Sequence, residues 1–286
     1  MKKLKLVLTL SLSLLCISNT QAQNQIEHNS LLYSITGNGL KDTSYLFGTV
    51  HLQCADDFQI KDKVLNAIKN SSEICFEIDM KDPKTNEIVM ESIKNGKKLS
   101  EQLDSLELIK IDSLLQNKLG MTAKMLDMYS VDLIASLLGV SEINCKNKKY
   151  YESELLLIAE ENKIETRGIE SIEFQLESLN KSADKETVLN HIYTDSYYQV
   201  MPEVLKAYKI ENLNALTQIC LSETFMTPTE IKYLLEIRNS NWVKLMPKMM
   251  KKKAIFFAFG AAHLGAEIGV INLLQKQGYT ITPIYN

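Results

Sequence analysis

The sequence predicts an α/β (α+β) fold: a mixed central sheet built from the N- and C-terminal segments, with a helical middle insertion forming a cap over approximately residues 95–225. Three observations carry this expectation. Strand-like apolar runs lie near both ends of the chain, at Leu31–Thr36, Thr43–Thr49, Glu73–Asp79, Ala254–Phe259 and Tyr279–Pro283. Between them, apolar residues recur mostly at helical spacing. Finally, two of the runs close on almost the same hexapeptide, Phe47-Gly48-Thr49-Val50-His51-Leu52 and Phe259-Gly260-Ala261-Ala262-His263-Leu264. With 11 Gly and 4 His in 286 residues, chance would supply Gly-x-x-His roughly 0.15 times. It occurs twice, which suggests two strand ends that each deliver an imidazole to one place.

In chain order, residues 1–22 read as an export signal. Lys2, Lys3 and Lys5 form a basic start, Leu6–Ile17 is apolar but too short to span a bilayer, and Thr20-Gln21-Ala22 offers a cleavage site. Cys16 follows the bulky Leu15, where a lipidation site wants a small residue, so a lipoprotein is not expected. Residues 23–286 then form a single domain, periplasmic or extracellular. Its first two strands flank the turn Gly37-Asn38-Gly39 and predict a hairpin. A helix is expected near Lys61–Asn70, with Val64, Leu65 and Ile68 on one face, followed by the strand Glu73–Asp79. Helices are expected around Leu106–Leu115, over Thr122–Leu138 and over Glu152–Asn162, then a short strand at Ile164–Ile169 and more helix from Ile172 to about Ser222. Thr227-Pro228-Thr229-Glu230 is a capping box with Pro at the first helical position, opening a helix that runs to Met250. The apolar run Ala254–Phe259 reads as a strand buried on both faces. A helix over Ala266–Gln277 and the alternating outer strand Tyr279–Pro283 complete a βαβ-like unit.

Charge and cysteine content narrow the function. The chain has 32 basic and 35 acidic residues; three of the lysines lie in the signal, so the remainder carries 29 against 35, a net charge of −6. An acidic exported chain is a poor nucleic-acid ligand, and no later stretch is apolar enough for a second membrane span. Cys54, Cys75, Cys145 and Cys220 remain after cleavage, and three pairings are open if all four are bonded. Zincin, α/β-hydrolase, Walker A and dinucleotide motifs are absent from the sequence.

A His at the C-terminal end of a parallel strand stands where open α/β sheets keep their ligands, and the preceding Gly48 or Gly260 lets the backbone come close. Glu77 and Asp79, alternating with Phe76 and Ile78, are expected on one strand face. Glu170 ends a second short strand. Two His and a carboxylate suffice to hold a divalent ion with a position left for water. Two settings stay open for each helper. Glu77 reads equally as a surface ion pair, Glu170 as part of an acidic solvated face with Glu173 and Glu177, and Arg238 as a structural group stacked on Trp242. His28 and His191 read as ordinary.

The order of Leu32-Tyr33-Ser34-Ile35, Tyr45 to His51, Phe76-Glu77-Ile78-Asp79, Gly168-Ile169-Glu170 with Gln175, Arg238-Asn239 with Trp242, and Phe259 to Leu264 followed by Gly269 and Gly278-Tyr279 resembles the TraB/GumN family. That family includes the Tiki proteases of animals and the pheromone-shutdown proteins of bacteria. The resemblance implies an exported metal-dependent hydrolase, peptidase-like, acting on a peptide or small molecule. It implies a metal and catalytic set of His51, Glu77 and His263 with Arg238, supported by Gly48, Gly260, Glu170 and Asn239. The implied cofactor is a divalent metal, Mn²⁺ in the Tiki branch, with Co²⁺ and Zn²⁺ also compatible. The alternative is a non-catalytic protein that captures a peptide, metal or porphyrin in the same cleft. One departure stands out: Lys149–Glu154 lacks the Gly-x-Asp often found in the family, and Glu152 is the residue placed to stand in for it.

Overall fold

The computed structural model describes residues 30–94, 97–143, 145–194 and 199–286. Residues 1–22, expected to be an export signal and including Cys16, and His28 lie outside the described residues. Six strands form a mixed sheet in the order β6-β4-β7-β2-β1-β8. In chain order they are β1 (Leu32–Gly37), β2 (Ser44–Thr49), β4 (Glu73–Phe76), β6 (Glu165–Gly168), β7 (Ile255–Gly260) and β8 (Tyr279–Pro283); β3 (Leu52–Cys54) and β5 (Lys148–Tyr150) pair separately. The N- and C-terminal segments thus supply five of the six strands, as the sequence predicts, while β6 comes from the middle segment expected as a cap; β1 and β2 form the expected hairpin.

The centre is β7, whose six residues are all buried. It runs parallel to β2 on one side and to β4 on the other, with Phe47 opposite Ala258 and Thr49 opposite Gly260. Both Gly-x-x-His segments therefore leave the sheet at the same edge, one strand apart. Parallel strands sandwiched by helices must be apolar on both faces, which explains the unbroken Ile255-Phe256-Phe257-Ala258-Phe259 run. The outer strand β8 joins antiparallel to β1, after a crossover through the helix Val270–Lys276.

Several boundaries depart from the sequence-based expectation. The third strand stops at Phe76 rather than Asp79, so strand alternation no longer pairs Glu77 with Asp79. Asp79 instead accepts from the Lys81 amide in a turn. The helix expected over Thr122–Leu138 begins only at Val131, capped by Ser130; the residues before it form turns. Of the apolar face expected from Leu106, Ile109, Leu114 and Leu115, Leu106 and Ile109 are 71% and 65% exposed; the helix, Ser105–Leu119, buries Leu115 as expected, together with Ile111. The last helix starts at Val270 rather than Ala266, because Ala261–His263 first makes a 3₁₀ turn.

The middle of the chain divides between two apolar cores. Leu99, Ile111, Leu115, Ile134, Leu138, Leu189 and Ile192 belong to a cluster of their own. Tyr151, Leu155, Ala159, Val204, Tyr208 and Leu216 pack instead with the sheet. Cys54 and Cys145 form a disulfide, whereas Cys75 and Cys220 are buried and free. Among the described residues, no helix is long and apolar enough to cross a membrane.

Candidate functional site

The site is assembled where three parallel strands end. Glu77 follows β4, Gly260 ends β7, and Glu170 follows β6. The β4 and β6 exits stay paired beyond the strands, with Glu170 N–H donating to the Glu77 carbonyl at 3.0 Å. Gly168 makes this approach feasible, since a Cβ there would meet the Asp79 amide nitrogen at 2.4 Å and the Ile78 carbonyl carbon at 2.6 Å. Two carboxylates are thereby brought side by side in a buried place, and each needs a partner.

Arg238 is that partner. Its Nη2 donates to Glu77 Oε2 at 2.6 Å and to Glu170 Oε1 at 2.6 Å, and its Nε donates to Glu170 Oε1 at 2.9 Å. Trp242 Nε1 donates to the second Glu170 oxygen at 2.6 Å, and Gln175 Nε2 reaches both carboxylates at 3.3 Å. The guanidinium also lies 4.9 Å from the Trp242 ring centre. Arg238 therefore lies by Trp242, as the structural reading expects, and also pairs with the two carboxylates. The surface settings considered for Glu77 and Glu170 do not hold: their side chains are 12% and 4% exposed.

The helix carrying Arg238 is not regular. After the capping box at Thr227 and Glu230, residues Ile231–Glu236 form a π-helical stretch and the α-helix resumes at Ile237. Widened turns of this kind recur at functional sites. Here the stretch ends just before Arg238, whose Nη1 donates back to the Leu234 carbonyl at 3.2 Å.

His263 sits in the dry part of the site, 5% exposed and 4.4 Å from the Trp242 ring. Asn239 Nδ2 donates to the Ile268 carbonyl at 2.8 Å, which turns Oδ1 toward His263 Nδ1 at 2.6 Å. This network puts the imidazole proton on Nδ1. Nε2 is then an acceptor, 3.3 Å from Arg238 Nη1 and 3.8 Å from Glu77 Oε1. Burial pushes the His263 pKa down to about 3, so the ring is neutral at pH 7 and Arg238 is the standing cation. Burial also opposes ionisation of Glu77, but the charges of Arg238 and His51 and the Gly260 amide, donating at 2.8 Å, hold it well below the usual carboxylate range. Glu170 shifts the other way, raised by burial in spite of Arg238 and Trp242.

His51 is the wet counterpart, its side chain 70% exposed. Its Nδ1 lies 3.0 Å from Glu152 Oε1, which also accepts from the Thr49 hydroxyl at 2.7 Å. The hydrogen bond to Glu152 raises the His51 pKa to about 9. Glu152, the residue placed to stand in for the missing Gly-x-Asp, thus joins the site, and Thr49 is a member that sequence reasoning missed.

Gly260 is the point on which the three principal groups converge. A Cβ at this position would lie 3.4 Å from Glu77 Oε1, 3.6 Å from His263 Cδ2 and 3.7 Å from His51 Nε2. Each imidazole is anchored through Nδ1, by Glu152 or Asn239, so that Nε2 is the nitrogen left for a ligand. Two nitrogens and a carboxylate oxygen form a donor set suited to a divalent cation. As the side chains stand, Arg238 already engages Glu77 and faces His263. Among the described residues, no group of three His, Cys, Asp or Glu is arranged to hold an ion.

The remaining His191 has a carboxylate of its own, Glu230, at 3.2 Å. It lines an open cleft of about 460 Å³ with Glu186, Asn190 and Glu223, whose lining residues include none of the Gly260 cluster.

No curated protein and no solved structure shows a detectable match to this sequence. The profile of the TraB/PrgY/gumN family does match, over residues 31–283, and a match of that extent means that the chain belongs to this family.

Proposed function

We propose that the Gly260 cluster is a metal-dependent hydrolytic centre of peptidase type. The observation that carries this reading is the convergence of His51, Glu77 and His263 on one backbone position, with both Nδ1 atoms anchored as in sites that orient histidine ligands. His51, Glu77 and His263 would hold the ion, Mn²⁺ being favoured by the Tiki resemblance. A bound divalent ion supplies Lewis acidity, polarising a carbonyl and lowering the pKa of water. Arg238 keeps Glu77 ionised and ready to ligate, while Asn239 and Glu152 fix the two rings. His51, protonated at pH 7 by its tie to Glu152, must release a proton to ligate, so binding is tighter at higher pH. Glu170, with its raised pKa, stays beside Arg238 as the second carboxylate of the centre.

The test is cleavage of a peptide library by the purified chain with Mn²⁺, Co²⁺ or Zn²⁺ added, beside His51→Ala and Glu77→Gln. Loss of cleavage in both variants is expected; equal activity in all three proteins would rule the assignment out. Calorimetry in two buffers of different ionisation enthalpy should show proton release on metal binding.

A second reading, a non-catalytic protein that captures a ligand in the same place, draws on Arg238. It already pairs with Glu77 and faces His263, and so competes with a cation for those groups. Metal content and visible absorbance of the protein as purified separate the two readings. Export rests on residues 1–22, and the mass of the N-terminal peptide of the secreted protein tests cleavage after Ala22.

A further inference from the structure

We propose that the Cys54–Cys145 disulfide is a positioning device that holds His51 against Glu152, so that the site is in register only in the oxidised protein. His51 lies on the turn between β2 and β3, and Glu152 lies in the helix Tyr151–Glu161 that follows β5. These two segments are 101 residues apart in sequence; they meet through the small β3–β5 sheet, the Thr49 hydroxyl bonded to Glu152 and the packing of Tyr151 on Phe47.

That sheet pairs three residues a side, Leu52 with Tyr150, Gln53 with Lys149 and Cys54 with Lys148. It is extended by Tyr151 N–H donating to the His51 carbonyl at 3.3 Å and Ala55 N–H donating to the Asn147 carbonyl at 3.0 Å. A two-stranded ribbon of this length is marginal in water, and β5 is at best half-buried. The disulfide closes the ribbon from the far end, three residues beyond His51 and seven before Glu152. Rupture leaves the His51 turn tied down only by the short ribbon, because the Thr49 hydroxyl and the packing of Tyr151 hold the Glu152 helix but not the imidazole itself. The main sheet does not depend on the bond, because β2 is secured by β1 and β7.

Both cysteines of the bridge are half-buried and within reach of a reductant, whereas the free Cys75 and Cys220 are buried. The chemistry is ordinary exchange. A dithiol reductant gives up two electrons and two protons and becomes a disulfide, while Cys54 and Cys145 each become a thiol. The reverse needs a disulfide oxidant of the kind found where exported proteins fold.

The importance of this device for hydrolysis rests on the function proposed above; the positioning itself does not. The test is nitrogen-15 NMR of the histidine rings in the metal-free full-length protein, oxidised and after reduction by dithiothreitol. In the oxidised form His51 should show a protonated, hydrogen-bonded Nδ1. After reduction that signature should be lost while the His263 signals and the far-ultraviolet circular dichroism stay unchanged, and reoxidation should restore it. Cys54→Ser with Cys145→Ser should match the reduced spectrum. Unchanged His51 signals after reduction would overturn the proposal. So would collapse of the whole spectrum, which would make the bond a staple of the fold. A peptide assay negative in both redox states would count against the hydrolase reading and leave this one standing on its own spectra.

Discussion

His51 and His263 stand fifth in two hexapeptides that differ at only two of their six positions, yet they occupy opposite environments. His263 is locked in a 3₁₀ turn beneath the helix Ile237–Met250, stacked on Trp242 and bonded to Asn239. His51 stands in solvent, held by one carboxylate. The first is kept neutral by burial and the second charged by Glu152, with pKa values displaced in opposite directions to about 3 and about 9. A repeated motif therefore fixes where the backbone turns, while the elements packed above it decide what the side chain can do. Paired groups pushed apart in this way mark a division of labour in many sites.

The contrast can be broken most severely at Arg238. Arg238→Met leaves Glu77 and Glu170 buried together without a cation, and should cost about 3–5 kcal/mol in urea unfolding, with the Glu77 titration moving up from about 2. Acid offers the next largest effect. Between pH 3 and 6.5 the unfolded chain protonates His263 and the folded chain does not, so this contribution is present above pH 6.5 and lost on acidification toward 3. The slope should approach 1.4 kcal/mol per pH unit. Glu77 adds to it only below its ordinary pKa near 4.5, so His263→Gln should flatten the stability profile chiefly between pH 4.5 and 6.5.

Asn239→Ala is expected to cost about 1–3 kcal/mol by leaving buried polar groups unpaired, and to disturb the His263 ring signals but not those of His51. Glu152→Gln should have the smallest effect on stability, within about 1 kcal/mol, because its partner is exposed. It should still return the His51 pKa from about 9 toward its ordinary value, read by proton NMR of the ring. In the parent protein this pair stabilises fully below pH 6.5 and fades as pH rises through 9; that alkaline limb should disappear in the variant.

Much of this architecture is written locally in the chain. The hairpin turn, the all-apolar β7 and the Thr227–Glu230 capping box each follow from short-range chemistry, and their boundaries lie within a few residues of expectation. His51 and His263 were findable because the motif recurs. Glu77 was legible as a functional carboxylate but not through the alternation used to place it, since the strand ends one residue earlier. Glu152 was visible only as a substitute for a missing pattern, because its link to His51 spans 101 residues. The clue that could have placed it was Cys54 beside His51 and Cys145 shortly before Glu152, had their pairing been fixed. The π-helical stretch before Arg238 leaves no comparable trace, since Ile231–Glu236 reads as ordinary amphipathic helix.

The register of β2 against β7 joins residues more than 200 positions apart, and such distant pairing is slow to form. A chain emerging from the ribosome cannot complete its central sheet until β7 and β8 have been made. Synthesis order alone therefore delays assembly of the cluster until β7 has been made.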